Sequence, residues 1–377
     1  MPLKLAIPRE TSTGERRVAV DALIAGKLSG LGLEVLLETG AGDAARMPDD
    51  SYTDVTVVKD AAGLYAQADI VVKIQPPTED EIAQMKEGAV LIGTLLPHRH
   101  PELVAKLRDR KITSFAMELI PRISRAQSMD VLSSQAAVAG YKAAIMGADL
   151  ASRFFPMLTT AAGTIRPSKV IVLGAGVAGL QAIATARRLG AMVEAYDVRS
   201  ATKEQVESLG AKFIELDIKA EGEGGYAREL TDEEKQKQQE QLAGFVAQAD
   251  VLITTAAVPG RPSPKLVPEA MVQGMKPGSV IIDLAAEGGG NCVFTVPGET
   301  IEKHGVVVHG PLNVPSQVPF HASEMYAKNV FNFLSPMIQE GQFTPNWEDE
   351  IQAQSVLTHE GAIKHEPTRK LVEGEAS

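Results

Sequence analysis

A short segment of the sequence, residues 121–135, is rich in side chains that form directional hydrogen bonds. It reads PRISRAQSMDVLSSQ and follows KITSFAMEL, an apolar run that predicts a buried strand. Its side chains with this capacity include Arg122, Arg125, Gln127, Asp130, Ser133 and Ser134. They include no nucleophile–base pair, so their types alone leave open whether they contact a ligand or form a surface turn in which Arg122 pairs with Asp130.

A second segment, residues 169–190, carries a glycine pattern that can bind a pyrophosphate. It reads KVIVLGAGVAGLQAIATARRLG, in which Gly174, Gly176 and Gly179 follow a strand pattern and precede a helix pattern. The first glycine of such a motif makes a tight turn, the second lets the backbone approach a pyrophosphate, and the third lets helix and strand pack closely. The amino end of the helix would face the phosphates. The pattern therefore predicts a dinucleotide-binding turn.

Asp197 indicates which dinucleotide this turn would select. It ends the next strand pattern, AMVEAYD, eighteen residues after Gly179. A carboxylate at this position accepts hydrogen bonds from the ribose hydroxyls and repels a 2′-phosphate. Arg199 lies two residues further on and could serve a 2′-phosphate instead. Because Asp197 stands in the usual position for the acid, we predict selectivity for NAD(H) over NADP(H).

The elements that must position these segments form two series of alternating strand and helix patterns. The strand patterns lie at 3–8, 33–39, 68–75, 89–96, 112–119, 169–174, 191–197, 211–216, 250–256, 278–285 and 306–310. Such alternation predicts an α/β protein with two Rossmann-like, doubly wound parallel-sheet domains, and two long helix patterns, at 133–155 and 321–338, would join them.

The long helices also suggest the domain bounds. We expect a discontinuous N-terminal domain of residues 1–134 plus 322–377 and an NAD(H)-binding domain of residues 135–321. The charged tail after Phe343 is expected to be irregular and to drape over the first domain. One segment, residues 217–240, breaks the alternation with a glycine-rich run and a charged helical run. It is either a solvated excursion or a lid over the ligand, and we predict the lid.

Composition excludes several classes of function. The net charge of −11 argues against a nucleic-acid partner, which needs clustered basic charge. The single cysteine, Cys292, excludes an internal disulfide and a cysteine-rich metal site, and the seven histidines show no metal-ligand spacing, so no metal is expected. No stretch approaches 18 uninterrupted apolar residues, which predicts no direct membrane insertion. The expected compartment is the cytoplasm.

Five stretches taken together resemble one family. They are LAIPRETSTGERRVAV, PRISRAQSMDVLSSQ, TTAAGT, GAGVAGLQAIATARRLGAMVEAYDVR and PGSVIIDLAAEGGGN. Over about residues 3–335 the chain resembles the NAD(H)-binding component of proton-translocating NAD(P) transhydrogenase and, more distantly, alanine dehydrogenase. The resemblance implies direct hydride transfer between NADH on this chain and NADP+ on a partner component, which separate membrane subunits couple to proton translocation.

The resemblance also implies which residues act. Ser133 would bond the nicotinamide carboxamide, and Gln127 would lie near the face where hydride passes and hold the partner ring. Arg122 and Asp130 would brace the loop and the dihydronicotinamide. No covalent chemistry is implied for them, because transfer between two rings depends on their orientation. The implied cofactor-binding residues are Gly174, Gly176, Val177, Ala178, Gly179, Asp197, Val198, Arg199, Gly225, Tyr226, Gln238, Ala256 and Ala257.

The same resemblance implies the partners, and two alternative functions compete with it. It implies a homodimer that meets an NADP(H)-binding component and a membrane-spanning subunit, and so a peripheral place at the inner membrane. An alanine dehydrogenase-like enzyme is the alternative, and a non-catalytic NAD-sensing module is another. Alanine dehydrogenases carry K-V-K-E-P and Y-L-H-L-A at two strand ends. Here VKIQPP keeps Lys73 but loses the acid, and GTLLPH has Leu96 where the histidine would fall.

Overall fold

The computed structural model describes residues 2–216, 230–257 and 261–374. The chain divides into two compact units, which we call unit 1 (Met1–Gln135 with Ser316–Ser377) and unit 2 (Ala136–Pro315). Each unit is built on one large, mainly parallel sheet. The predicted fold class, an α/β protein with two doubly wound parallel-sheet domains, is confirmed.

The described strands, in chain order, are β1 (Lys4–Ile7), β2 (Glu34–Glu38), β3 (Thr56–Val58), β4 (Ile70–Val72), β5 (Val90–Gly93), β6 (Thr113–Ala116), β7 (Leu158–Thr160), β8 (Gly163–Ile165), β9 (Lys169–Leu173), β10 (Met192–Tyr196), β11 (Lys212–Phe213), β12 (Val251–Thr254), β13 (Val280–Asp283), β14 (Thr300–Lys303), β15 (Val306–His309), β16 (Ile338–Gln339), β17 (Gln342–Phe343), β18 (Val356–His359) and β19 (Ala362–Ile363).

The described α-helices are α1 (Ala22–Gly30), α2 (Ala61–Gln67), α3 (Glu79–Gln84), α4 (Pro101–Asp109), α5 (Val131–Leu150), α6 (Val177–Arg188), α7 (Thr202–Ser208), α8 (Asp232–Val246), α9 (Glu269–Gly274), α10 (Pro319–Leu334), α11 (Glu350–Ser355) and α12 (Glu366–Glu373). The two predicted long helices are thus α5 and α10. α5 carries the chain from unit 1 into unit 2, whereas the return at residues 315–316 comes just before α10 begins.

Unit 1 has a sheet with the order β19-β18-β6-β5-β4-β1-β2-β3. Strands β1 to β6 run parallel, and their side chains alternate between two apolar layers. Leu5 and Ile7 of β1 pack in one layer with Tyr326 of α10, while Ala6 packs in the other. Because both faces of β1, β2, β4, β5 and β6 are covered, these strands appear in the sequence as continuous apolar runs, which is why they could be predicted. The edge strand β3 is largely exposed and was not predicted.

Unit 2 has a sheet with the order β11-β10-β9-β12-β13-β15-β14. All its neighbouring strands are parallel except β14, which is antiparallel to β15. Val170 and Val172 of β9 face one apolar layer, and Ile171 and Leu173 face the other. The strand order reverses between β9 and β12, and the crevice outside the carboxyl ends of such strands is where α/β sheets bind ligands.

The tail after Phe343 is not irregular, so that expectation is wrong. β18 pairs antiparallel with β6 and β19 pairs with β18, so the tail extends the unit 1 sheet by two strands. A buried pair of hydroxyls, Ser114 Oγ and Thr358 Oγ1, lies 2.6 Å apart at this junction. The strands were missed because they are short and place polar side chains in buried positions, which hides the apolar pattern.

Trp347, the only tryptophan in the sequence, reports on how the tail is seated. Its ring stacks on Phe115 at 6.0 Å and lies 4.5 Å from the ring of His359, centroid to centroid. The His359 Nδ1 atom lies 3.0 Å from Thr113 Oγ1. Burial lowers the pKa of His359 below 6.5, although Glu360 opposes the shift. The neutral ring is therefore the form that the folded tail favours.

We expect a pH-dependent Trp347 emission that titrates below pH 6.5. Since the folded pKa is depressed, the stabilising contribution of His359 is complete above about pH 6.5 and is lost as pH falls through the folded value. A fluorescence titration checks this, with His359→Asn expected to abolish the transition. His365→Asn is the control, because that imidazole bonds Thr368 instead. A transition that survives in His359→Asn would contradict the assignment.

The segment of residues 217–240 divides into two stretches. The lid was predicted for the whole segment, and its residues 217–229, with Gly225 and Tyr226, lie outside the described residues. The remainder enters α8, which begins with a capping box: Thr231 Oγ1 accepts from Glu234 N, and the Glu234 carboxylate accepts from Thr231 N. Gln238, Leu242 and Val246 are buried on this helix. Residues 232–240 therefore belong to a packed crossover helix.

Candidate functional site

The glycine turn follows β9 and leads into α6. Gly174 has φ +98°, a left-handed conformation that suits glycine. A Cβ atom on Gly179 would lie 1.8 Å from Gly174 O, so helix and strand touch through their backbones. A Cβ atom on Gly176 would meet only Arg199 Nη2, at 3.9 Å. The turn is therefore tightly packed at Gly179, whereas the backbone at Gly176 borders open space that a ligand could enter.

The amino end of α6 suits an anion. Its N-cap, Gly176, has no side chain that could bond the first N–H groups, and no acidic residue lies in the first turn. Those N–H groups have no partner within the helix and carry its positive dipole end. On the other side of the turn, a Cβ atom on Gly140 of α5 would lie 2.0 Å from Ala178 O. The backbone of α5 thus supports the first turn of α6, and these features fit a pyrophosphate.

Asp197 lies just after β10 and is 8% exposed. Its Oδ2 accepts from Ala175 N at 2.8 Å, so the carboxylate braces the glycine turn. Its Oδ1 accepts from Arg199 N at 2.9 Å. The Arg199 guanidinium donates to both oxygens, from Nε at 2.8 Å and from Nη2 at 2.7 Å. Arg199 is thus paired with Asp197.

Ala256 and Ala257 follow β12, the strand beside β9. The amide of Asn291 holds Ala256 from both sides, because its Oδ1 accepts from Ala256 N at 3.0 Å and its Nδ2 donates to Ala256 O at 2.8 Å. Thr255 Oγ1 donates to Gly174 O at 3.0 Å, which ties this segment to the glycine turn. The sequence did not point to Asn291.

Asp283, at the end of β13, is a second residue that the sequence did not single out. Its carboxylate is fully buried and accepts five hydrogen bonds. The donors are Thr254 Oγ1, Ala285 N, Asn291 N, Cys292 N and Thr295 Oγ1. Its position at the end of a predicted strand was the only available signal. Asp283 fixes the loop that carries Asn291 and so supports Ala256 indirectly.

The other predicted cofactor residues of unit 2 differ in exposure. Val177 is exposed on the first turn of α6, whereas Ala178 and Val198 are half-buried. Gln238 is buried on α8, and its Nε2 donates to the hydroxyl of Tyr196 at 3.1 Å. Its amide is therefore committed to the protein interior in this structure. Gly174, Gly176, Asp197, Arg199 and Ala256 all follow the carboxyl ends of β9, β10 and β12, and Gly179 lies in the first turn of α6.

The loop of residues 121–135 belongs to unit 1 and contains a short 3-10 turn at Ser124–Met129. Arg122 and Gln127 are exposed, and Gln127 makes no side-chain hydrogen bond with the described residues. Asp130 Oδ1 accepts from Ser133 N at 2.9 Å, and its Oδ2 accepts from Ser133 Oγ at 2.6 Å. Asp130 thus caps α5, while the Ser133 oxygen keeps lone pairs that can accept from a ligand.

Two residues that the sequence did not point to, Asn329 and Asp349, hold this loop. Asn329 of α10 donates from Nδ2 to Ser128 O at 2.8 Å and accepts from Ser134 Oγ at 2.6 Å. Arg125 forms a two-bond ion pair with Asp349, at 2.7 and 3.3 Å. The exposed Gln127 therefore sits on a backbone that is anchored on both sides.

Lys73, the lysine that the alanine dehydrogenase alternative would use, is buried beyond β4. Its Nζ lies 2.8 Å from Glu81 Oε1 and 3.5 Å from Glu10 Oε2. Tyr65 also donates to Glu81 Oε1, at 2.8 Å. Burial alone would lower the pKa of Lys73, but the two carboxylates raise it. The ammonium is therefore charged and already paired within the protein.

Among the described residues, no helix is long and apolar enough to cross a membrane. Nor do the described stretches of the two units hold a group of three or more His, Cys, Asp or Glu side chains that could bind a metal ion.

Comparison with known proteins places the chain. Residues 6–139 match the family model "Alanine dehydrogenase/PNT, N-terminal domain" and residues 143–366 match its C-terminal counterpart. The chain is 51% identical to an NAD(P) transhydrogenase subunit alpha protein of Rhodospirillum rubrum, over 96% of this chain and 98% of that protein. It is 30% identical to alanine dehydrogenase of Bacillus subtilis, over 84% and 80%.

A solved structure agrees with this placement. The transhydrogenase of Sinorhizobium meliloti superposes with a TM-score of 0.85 at 43% identity, over 96% of this chain and 99% of that one. Similarity to transhydrogenases is thus greater than similarity to the alanine dehydrogenase. The chain belongs to the alanine dehydrogenase/PNT family, on the side of its NAD(P) transhydrogenase alpha subunits.

Proposed function

We propose that the chain is the NAD(H)-binding subunit of a proton-translocating transhydrogenase. Hydride passes directly between NADH held here and NADP+ held on a partner component, in either direction. The observation that carries the proposal is the loop of residues 121–135, which presents Gln127 on an anchored backbone. The only carboxylate of that loop, Asp130, is occupied by Ser133. A loop of this kind can orient a ring, and hydride transfer between two nicotinamides needs no proton donor.

Residues 135–321 form the NAD(H)-binding domain in this proposal. The N–H groups at the start of α6 bind the pyrophosphate in front of Gly176, where the backbone leaves room. Asp197 accepts from the adenosine ribose and gives selectivity against a 2′-phosphate. Ala256, which Asn291 holds, and the adjacent Ala257 line the path of the cofactor toward the nicotinamide.

The loop residues act by orientation. Ser133 bonds the carboxamide of the nicotinamide, Gln127 lies beside the face that gives up hydride, and Arg122 and Asp130 brace the loop. Nicotinamide supplies the hydride chemistry, and the protein supplies a near-attack geometry, which contributes several kcal/mol to catalysis.

Partners complete the proposal. The relatives' names describe subunits of a larger enzyme, which supports an NADP(H)-binding component and a membrane-spanning subunit as partners. We propose a homodimer that associates with the cytoplasmic side of the inner membrane through these subunits.

Alanine dehydrogenase activity is the second candidate, and the 30% identity to such an enzyme favours it. Two residues weigh against it: the Lys73 ammonium is already paired with Glu81, and Leu96 lacks a proton-transfer group. Ammonia-dependent oxidation of NADH with pyruvate tests this candidate, and we expect no turnover.

Gln127→Asn is expected to slow hydride transfer by about tenfold, equivalent to about 1.4 kcal/mol. The change keeps the amide but withdraws it by one methylene, so the effect falls on the reactive geometry and not on ground-state affinity. NADH affinity should change by less than about threefold, since the contacts at the glycine turn and Asp197 remain. Single-turnover kinetics in the complex with an NADP(H)-binding component measures the rate of hydride transfer, and a separate NADH titration measures the affinity.

The control is Gln339→Asn, which makes the same change at an exposed glutamine in β16 of the same unit and should leave both quantities unchanged. A collapse of NADH affinity with an intact transfer rate at saturation would make the loop an ordinary binding element. An unchanged rate would remove the orienting role from Gln127.

A further inference from the structure

The carboxylate of Asp197 has no free position for a ligand hydroxyl in this structure. A carboxylate offers about four lone-pair sites, two on each oxygen. Oδ1 accepts from Arg199 N and Arg199 Nε, and Oδ2 accepts from Ala175 N and Arg199 Nη2, at distances between 2.7 and 2.9 Å. All of these sites are therefore filled.

The donors to Asp197 are of two kinds. Ala175 N and Arg199 N belong to the backbone of the glycine turn and of the segment after β10, so they are fixed by the fold. The other two donors are on the Arg199 side chain, which is 23% exposed against 5% for the Asp197 side chain. Only the guanidinium can leave without moving the backbone.

We propose that the Arg199 guanidinium occupies Asp197 and must be displaced when a nicotinamide dinucleotide binds. This displacement weakens the binding of NADH and strengthens the binding of NADPH. The proposal rests on the nucleotide site described above. A ribose hydroxyl can donate to Asp197 only after the guanidinium has withdrawn, so NADH binding must break an ion pair that the free protein holds. Wild-type affinity for NADH is thus lower than the site itself would give.

The same displacement favours NADPH. A guanidinium matches the geometry of a phosphate and binds it with two hydrogen bonds. Arg199 is two residues from Asp197, and its Nη2 lies beside the open face of Gly176. A 2′-phosphate therefore draws the guanidinium away from Asp197 and gains a partner, which offsets its repulsion by the carboxylate. Arg199 consequently narrows the selectivity that Asp197 creates.

Arg199→Met tests the proposal, because methionine keeps an unbranched apolar stem and removes every donor. In direct titrations of the full chain, the Kd for NADH should fall by about threefold or more and the Kd for NADPH should rise by about tenfold. Arg199→Lys, which keeps the charge but loses the two-bond fork, should shift both constants in the same directions by less. If Arg199→Met destabilises the fold because Asp197 is left without a cation, Arg199→Lys still tests the proposal, since it keeps the positive charge.

The control is Lys203→Met on α7, which removes one positive charge from the same unit. Lys203 pairs with Glu215 and not with Asp197. This variant should change neither constant by more than about twofold, since exposed charges are screened. Weaker binding of both nucleotides in Arg199→Met would make Arg199 an ordinary ligand and overturn the proposal, as would unchanged constants. Asp197→Ala distinguishes failure of the Arg199 proposal from failure of the nucleotide site on which it rests. If Asp197→Ala leaves NADH affinity intact, the assignment of the nucleotide site is wrong.

Discussion

Glu81→Leu should lower the free energy of unfolding of unit 1 by about 3–5 kcal/mol, because it leaves the Lys73 ammonium in the interior without its nearest counter-charge. The Lys73 side chain is 1% exposed, and Glu81 is its partner at 2.8 Å. Burial alone would raise the pKa of Glu81, but the Lys73 ammonium and the bonds from Thr78 and Tyr65 lower it below 4.5. Denaturant unfolding at pH 7 measures the loss.

The pH dependence of this difference follows from the sign of the shift. A carboxyl group with a depressed folded pKa stabilises the fold above its unfolded value, near 4.5, and that contribution is lost as pH falls through the folded value. The difference between wild type and Glu81→Leu should therefore shrink below pH 4.5. Glu79→Leu is the matched control on the same helix: Glu79 is 59% exposed and pairs with Lys106 at the surface. It should cost less than about 1 kcal/mol. Equal losses in the two variants would contradict the role given to the buried pair.

Gly179→Ala should weaken NADH binding by at least about tenfold, or about 1.4 kcal/mol. The new Cβ atom would lie 1.8 Å from Gly174 O, so α6 or the turn must move, and the N–H groups that face the pyrophosphate move with it. The melting temperature should also fall. NADH titration and thermal unfolding of the same sample measure the two effects.

Two other glycines separate binding from stability. Gly176→Ala meets nothing closer than 3.9 Å, so it should keep the melting temperature and lose affinity, because its methyl group enters the space in front of the turn. Gly244→Ala on α8 has nothing within 4 Å and should preserve binding while slightly stabilising the helix. If Gly179→Ala binds NADH like wild type, the glycine turn is not the pyrophosphate site.

Local patterns were sufficient for the glycine turn and for the buried parallel strands of both sheets, but not for the edge strands β3 and β14 or for β18 and β19. Buried strands give uninterrupted apolar runs, and the spacing of Gly174, Gly176 and Gly179 encodes a backbone conformation within a single short turn. The residues that hold the candidate site in place are different. Asn291 bonds a residue 35 positions away, and Asn329 bonds Ser128 over 201 positions. No local pattern carries such partners, because either asparagine could equally have been solvated.

The buried ion pair of Lys73 and Glu81 could be predicted from the sequence only in part. Thr78 and Glu81 form a capping box that begins α3, and T-x-x-E before an apolar position is readable from sequence. The same Glu81 carboxylate also bonds Lys73, eight residues earlier, and only the packing of α3 against the end of β4 makes that second contact. The sequence therefore signalled a helix start but not that its acid would neutralise the lysine.

The pairing of β18 with β6 has a consequence for synthesis on the ribosome. β6 ends at residue 116, and its edge partner begins at residue 356. At a translation rate of roughly 5–20 residues per second, the edge of β6 waits about 12–48 s for that strand. The continuous residues of unit 2 emerge within this interval, so we expect unit 2 to fold first. Until β18 arrives, β6 exposes an unpaired row of backbone N–H and C=O groups to neighbouring nascent chains. A chaperone that covers the edge of β6 during this interval would prevent its pairing with another chain.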